Sequence, residues 1–114
     1  MNALQTRLQI LRSADSITHQ AESICQRTIS KFVTPENEKK YTMLITHLAM
    51  AVTRMERSEE LYPPPEEIMN EIYSSSCIEE ANQRVKWIER EMGSSLPKEE
   101  REFLLMHFVT VLSA

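Results

Sequence analysis

The stretch PENEKKYTMLITHLAMAVTRMER, residues 35–57, holds no glycine and no proline beyond its first residue. Within it Leu44, Leu48, Val52 and Met55 recur at intervals of three and four, the spacing that puts side chains on one face of an α-helix. Its beginning carries helix-start chemistry. Thr34 can accept a bond from an orphan backbone N–H, Pro35 is preset for the first helical position, and Glu36 and Glu38 meet the positive end of the helix dipole. The pattern predicts a helix from about Glu36 to Arg57, with Met43, Met50 and Met55 as core filler beside the leucines. A single glycine in the whole chain argues against β-hairpins and against a glycine-rich phosphate cradle.

Working outward, a preceding helix is expected within Asp15–Val33, with Ile17, Ala21, Ile24 and Thr28 on its inner face. Leu4, Leu8 and Leu11 keep helical spacing as well, so residues 1–14 either extend that helix or form a separate N-terminal arm. Pro63, Pro64 and Pro65 force an extended linker. A short helix follows from about Pro65 to Ser74, with Ile68, Met69, Ile72 and Tyr73 inward. Ser76 and Glu79 have the spacing of a capping box for a fourth helix, whose stripe is Ile78, Ala81, Val85, Ile88 and Met92. Gly93 falls where a helix end wants a left-handed residue. A fifth helix from about Pro97 to near the C-terminus buries Phe103, Leu104, Phe108, Val111 and Leu112, with Met106 as filler. Short loops favour antiparallel packing, so the expected architecture is all-α, a compact five-helix bundle over residues 15–114.

A chain of 114 residues supports one core. The net charge of −4, with both signs interspersed and no basic patch, argues against direct binding to nucleic acid. Cys25 and Cys77 are far apart, no Cys/His cluster has metal-ligand spacing, and both thiols read as small buried side chains in a reducing compartment. No apolar run nears the ~20 residues that span a bilayer. The N-terminus lacks the layout of a signal peptide. The expectation is a cytoplasmic protein without cofactor or metal.

Two histidines stand in the amphipathic helices. Residues four and seven apart share a helix face, so one stripe is Met43, His47, Met50 and Arg54, and another is Glu100, Phe103, His107 and Thr110. Imidazole is a competent nucleophile near neutral pH. A guanidinium such as Arg54 offers charge-assisted bonds to a phosphoryl group on such a ring, and a carboxylate such as Glu100 can orient an imidazole or pair with an arginine until phosphate displaces it. Taken alone, either histidine reads as a hydrogen-bonded packing residue. His19 lacks such a neighbourhood and reads as a surface or boundary residue. No nucleophile–base–orienter set is present, which argues against an enzyme.

HLAMAVTR, residues 47–54, resembles the first histidine motif of the phosphotransferase-system regulation domain, the PRD. LPKEEREFLLMHFV, residues 96–109, resembles the second, in which an LP-acidic start leads through an apolar helix to a histidine. The proline-containing stretch between them and Ala81, Ile88, Glu89 and Gly93 fit in order, so the resemblance covers about residues 15–112. The chain departs from the family pattern at Thr46, where many members have aspartate, and at Arg101, Glu102 and Leu105 in the second motif. The resemblance is therefore closer around His47 than around His107.

The resemblance implies a five-helix module of antiterminators and transcriptional activators, often dimeric. It implies that the phosphocarrier HPr or sugar-transporter enzyme II components phosphorylate the motif histidines. His47 and His107 are the implied phospho-acceptors, with Arg54 and Glu100 as supporting residues. One PRD-like unit leaves no room for an effector domain, so control of carbohydrate genes is expected to run through a homodimer or a partner regulator chain. The alternative is a helical dimerisation protein whose histidines are structural and whose Leu4, Leu8 and Leu11 face is a contact surface.

Overall fold

The computed structural model describes residues 2–113. Among them all regular structure is helical: α1 (Ala3–Ser13), α2 (His19–Phe32), α3 (Glu38–Glu56), α4 (Glu66–Tyr73), α5 (Ile78–Met92) and α6 (Lys98–Ser113). The all-α expectation holds, but the helices number six rather than five. They fall into two units, the first ending at Glu60 and the second beginning at Leu61.

In the first unit the additional helix is α1. Asn2 caps it: Gln5 N donates to Asn2 Oδ1 at 2.8 Å and Asn2 N donates to Gln5 Oε1 at 2.9 Å, which satisfies two otherwise orphan donors. Leu4 and Leu8 are buried, and α1 packs on both α2 and α3. It does not run on into α2 because Asp15 takes a positive φ of 60°, a conformation that aspartate tolerates better than most residues. Helix α2 then runs from His19 to Phe32, within the expected bounds, with Thr18 Oγ1 accepting from Ala21 N at 3.2 Å.

The α1–α2 loop is tied to the last turns of α3. Thr18 N donates to Thr53 Oγ1 at 3.1 Å, the Thr18 hydroxyl donates to the Glu56 carboxylate, and Arg57 Nη2 donates to the Asp15 carbonyl at 3.0 Å. Helix α3 starts at Glu38, two residues later than expected. Thr34 and Asn37 instead exchange bonds around a turn that precedes it: Thr34 N donates to Asn37 Oδ1 at 2.7 Å, and Asn37 N donates to Thr34 Oγ1 at 3.3 Å. The inner face of α3 includes Leu44, Leu48 and Val52 as expected, widened by Tyr41, Ile45, Ala49 and Ala51. Each such fully buried leucine or isoleucine contributes about 1.5–3 kcal/mol. Met43 is not filler: it is 68% exposed.

In the second unit α6 packs on α4 and α5. The eight-residue α4 buries Met69 alone, while Ile68 and Tyr73 face outward against expectation. A turn of 100° per residue separates Ile68 from its inward neighbour, and Tyr73 is drawn to Glu102, donating to its Oε2 at 2.9 Å. The Ser76–Glu79 capping box does not form. Helix α5 begins one residue late, with Cys77 at the N-cap position, and the local bond is made by Ser75, whose Oγ accepts from Cys77 N at 3.1 Å. Gly93 ends α5 in the left-handed region at φ 77°, as expected.

Along α6 the buried face is Leu104, Leu105, Phe108 and Val109, whereas Phe103, Val111 and Leu112 lie at its margin. Cys25 is fully buried and donates to the Ile45 carbonyl at 3.6 Å; Cys77 is only partly buried. No helix among the described residues is long and apolar enough to cross a membrane.

Candidate functional site

Helix α3 places His47 between the core residues Leu44 and Leu48 on one side and exposed Met43 on the other. The whole stripe Met43, His47, Met50, Arg54 runs along this margin, the last three residues being partly exposed. An imidazole there is held by packing yet reachable from solvent. Arg54 lies in the last turn of α3, where a cation complements the negative end of the helix dipole. Seven residues correspond to roughly 10.5 Å along the axis, so His47 and Arg54 share one face without lying side by side. Both side chains engage partners.

A residue that the sequence motifs did not point to adjoins this stripe. Arg7, exposed on α1, donates from Nη1 to Thr46 Oγ1 at 3.2 Å, and Thr46 immediately precedes His47. No local pattern announces this contact, because the two residues are 39 positions apart. Only the stop at Asp15, which makes α1 a separate helix beside α3, brings them together.

Helix α6 carries the second stripe, in the other unit. It runs from Glu100, 1% exposed, through partly exposed Phe103 and His107 to exposed Thr110. Glu100 and His107 both engage partners, and no buried side-chain nitrogen or oxygen among the described residues lacks one. Glu100 occupies the first turn of α6, where a carboxylate meets the positive helix end.

The family departures in this segment have structural roles. Arg101 and Glu102, six and five positions before His107, lie off its face. Arg101 Nη2 donates to Glu89 Oε2 at 3.1 Å and to the Leu96 carbonyl at 3.2 Å, while Glu89 Oε2 also accepts from Leu96 N at 2.7 Å. The three groups fix the turn between α5 and α6. Glu102 accepts from Tyr73 and so braces α4 against α6. Burial, and then the adjacent Glu102 carboxylate, push the Tyr73 hydroxyl above its ordinary pKa. Leu105 is a core residue. These substitutions build the frame of α6 rather than its histidine face.

His19, the first residue of α2, is exposed. Burial pushes the Cys25 thiol well above its ordinary range, which makes it inert. Among the described residues no group of three His, Cys, Asp or Glu side chains is placed to hold a metal ion. His47 and Arg54 thus share one face of α3, and Glu100 and His107 one face of α6, each pair about two turns apart in its own unit, with Arg7 bonded to Thr46 beside the first.

A family model described as the PRD domain matches residues 19–111. No curated protein and no solved structure matches the chain.

Proposed function

The chain belongs to the PRD domain family, and from that premise we propose that it is a phosphorylation-controlled regulatory module whose acceptors are His47 and His107. The family's general role is regulation linked to the sugar phosphotransferase system, not catalysis. In this reading HPr or an enzyme II component donates the phosphoryl group. The bond from the donor's ring nitrogen to phosphorus breaks with its electron pair returning to the donor. A bond from a His47 ring nitrogen to phosphorus forms, and the other His47 nitrogen keeps its proton. The modified chain then acts through a homodimer or a partner regulator to control transcription of carbohydrate genes.

The observation that carries this reading is the solvent-reachable placement of His47 on the margin of α3, with guanidinium groups at Arg54 on the same face and Arg7 beside Thr46. Phosphorylation adds about −1.5 to −2 charge and three acceptor oxygens, enough to rearrange a packed helix or a dimer contact. The test is incubation of the full chain with phosphoenolpyruvate, enzyme I and HPr, with and without an enzyme II component. Acid-labile phosphate on His47 is the expected result; none on either His47 or His107 defeats the reading.

One observation favours the alternative of structural histidines at His107: its stripe begins at Glu100, a carboxylate only 1% exposed. That alternative loses the contact surface expected for it at the N-terminus, because Leu4 and Leu8 are already buried within the chain.

A further inference from the structure

Arg7 donates to a neutral hydroxyl, a bond that does not itself neutralise the guanidinium charge. Arg7 is exposed, and Thr46 and His47 are partly exposed, so the guanidinium can exchange one acceptor for another without crossing the core. Its present acceptor is on the residue next to His47, and side chains of successive helix residues project about 100° apart, a separation that a long, flexible guanidinium side chain can span. Helix α1 has few other anchors: two buried leucines, and a loop tied to the end of α3. A change in what Arg7 holds is therefore felt along the helix.

We propose that Arg7 is a phosphate-binding residue of the His47 site, and that α1 is the segment through which phosphorylation of His47 is read out. This rests on His47 being a phospho-acceptor but not on which donor supplies the phosphate. On modification, Arg7 leaves the Thr46 hydroxyl for the phosphoryl oxygens. A guanidinium presents paired donors that match phosphate geometry, and an anionic acceptor adds a charge attraction that the Thr46 hydroxyl lacks. Helix α1 becomes more firmly fixed to α3, and the outer face of α1, which carries the 64% exposed Ile10, is held in one orientation.

The experiment uses phosphoramidate, a small phosphodonor that modifies histidine without a protein partner, on the full chain, with the phosphate mapped to His47. Amide hydrogen exchange over residues 8–13 is the readout. Phosphorylation slows this exchange on the order of five-fold in the unsubstituted chain, the gain expected when a guanidinium exchanges a neutral hydroxyl acceptor for an anionic one. Arg7→Gln abolishes the slowing, and Arg7→Lys, which keeps the charge without the fork, retains part of it. Thr46→Val speeds exchange before modification yet preserves the phosphate-dependent slowing, which a merely structural tie would not do.

Equal slowing in the unsubstituted chain and in Arg7→Gln overturns the proposal, as does loss of the slowing in Thr46→Val. If Arg7-dependent slowing follows phosphoramidate while no phosphotransferase component modifies the chain, the Arg7 site stands and the proposed function fails. No phosphate on His47 from either source overturns both.

Discussion

Replacing Glu89 with alanine tests how the start of α6 is held. Glu89 Oε2 accepts from Leu96 N at 2.7 Å and from Arg101 Nη2 at 3.1 Å. The two bonds are unequal in consequence. Arg101 is 40% exposed and recovers water when its partner leaves, so that half of the pair contributes at most about 1 kcal/mol. The Leu96 amide belongs to a residue only 3% exposed, and an unsatisfied N–H there costs about 1–3 kcal/mol. Glu89→Ala is therefore expected to destabilise the chain by roughly 2–3 kcal/mol, lowering Tm by roughly 10 °C. Glu89→Gln keeps an acceptor for the amide and loses only charge, for a cost of about 1 kcal/mol. Trp87, the chain's only tryptophan, lies two residues away on α5, so urea unfolding followed by its fluorescence reports the effect. A cost below about 0.5 kcal/mol for Glu89→Ala, or glutamine as damaging as alanine, would refute this division between amide and guanidinium.

Three further outcomes follow from single residues. Tyr73 titrates above its ordinary value of 10.0 in the folded chain, so the folded state holds that proton more tightly than the unfolded state does. Its contribution is present below about pH 10 and is lost as pH rises through the folded value, so stability curves of Tyr73→Phe and the unsubstituted chain converge in alkali. Leu8→Ala removes one of two buried side chains of α1 and costs about 2–4 kcal/mol, with amide exchange rising first in α1. Gly93→Ala meets no atom within 4 Å, so its cost comes from the left-handed backbone alone, about 1–2 kcal/mol in denaturant unfolding.

Helix type was legible wherever a long apolar stripe ran between clear breaks. Leu44, Leu48 and Val52 on α3, and Ala81, Val85 and Ile88 on α5, are buried as their spacing implied. The count failed at residues 14–18, because the break there rests on one aspartate at positive φ and on bonds to Thr53, Glu56 and Arg57, contacts that no local pattern encodes. The short α4 misled for a related reason: eight residues give too few turns to fix a face, and Tyr73 follows its bond to Glu102.

At the candidate site the helical stripe through His47 was legible, but its margin position was not, since Met43 and Met50 read as core filler and the structure leaves Met43 68% exposed and Met50 partly exposed. Nor was Arg7, because its place depends on where α1 stops. Arg101 and Glu102 looked like disturbances of a histidine motif, and only their partners across the unit show them to be braces.

The central claim is that His47 is a phospho-acceptor of the phosphotransferase system, and site-resolved mass spectrometry after incubation with phosphoenolpyruvate, enzyme I and HPr, with and without an enzyme II component, tests it most directly. Acid-labile phosphate on His47 that disappears in His47→Ala, while the circular dichroism of that variant stays helical, is the expected result. An unmodified His47 in a chain that remains folded, with every donor present and active on a control acceptor, would contradict it.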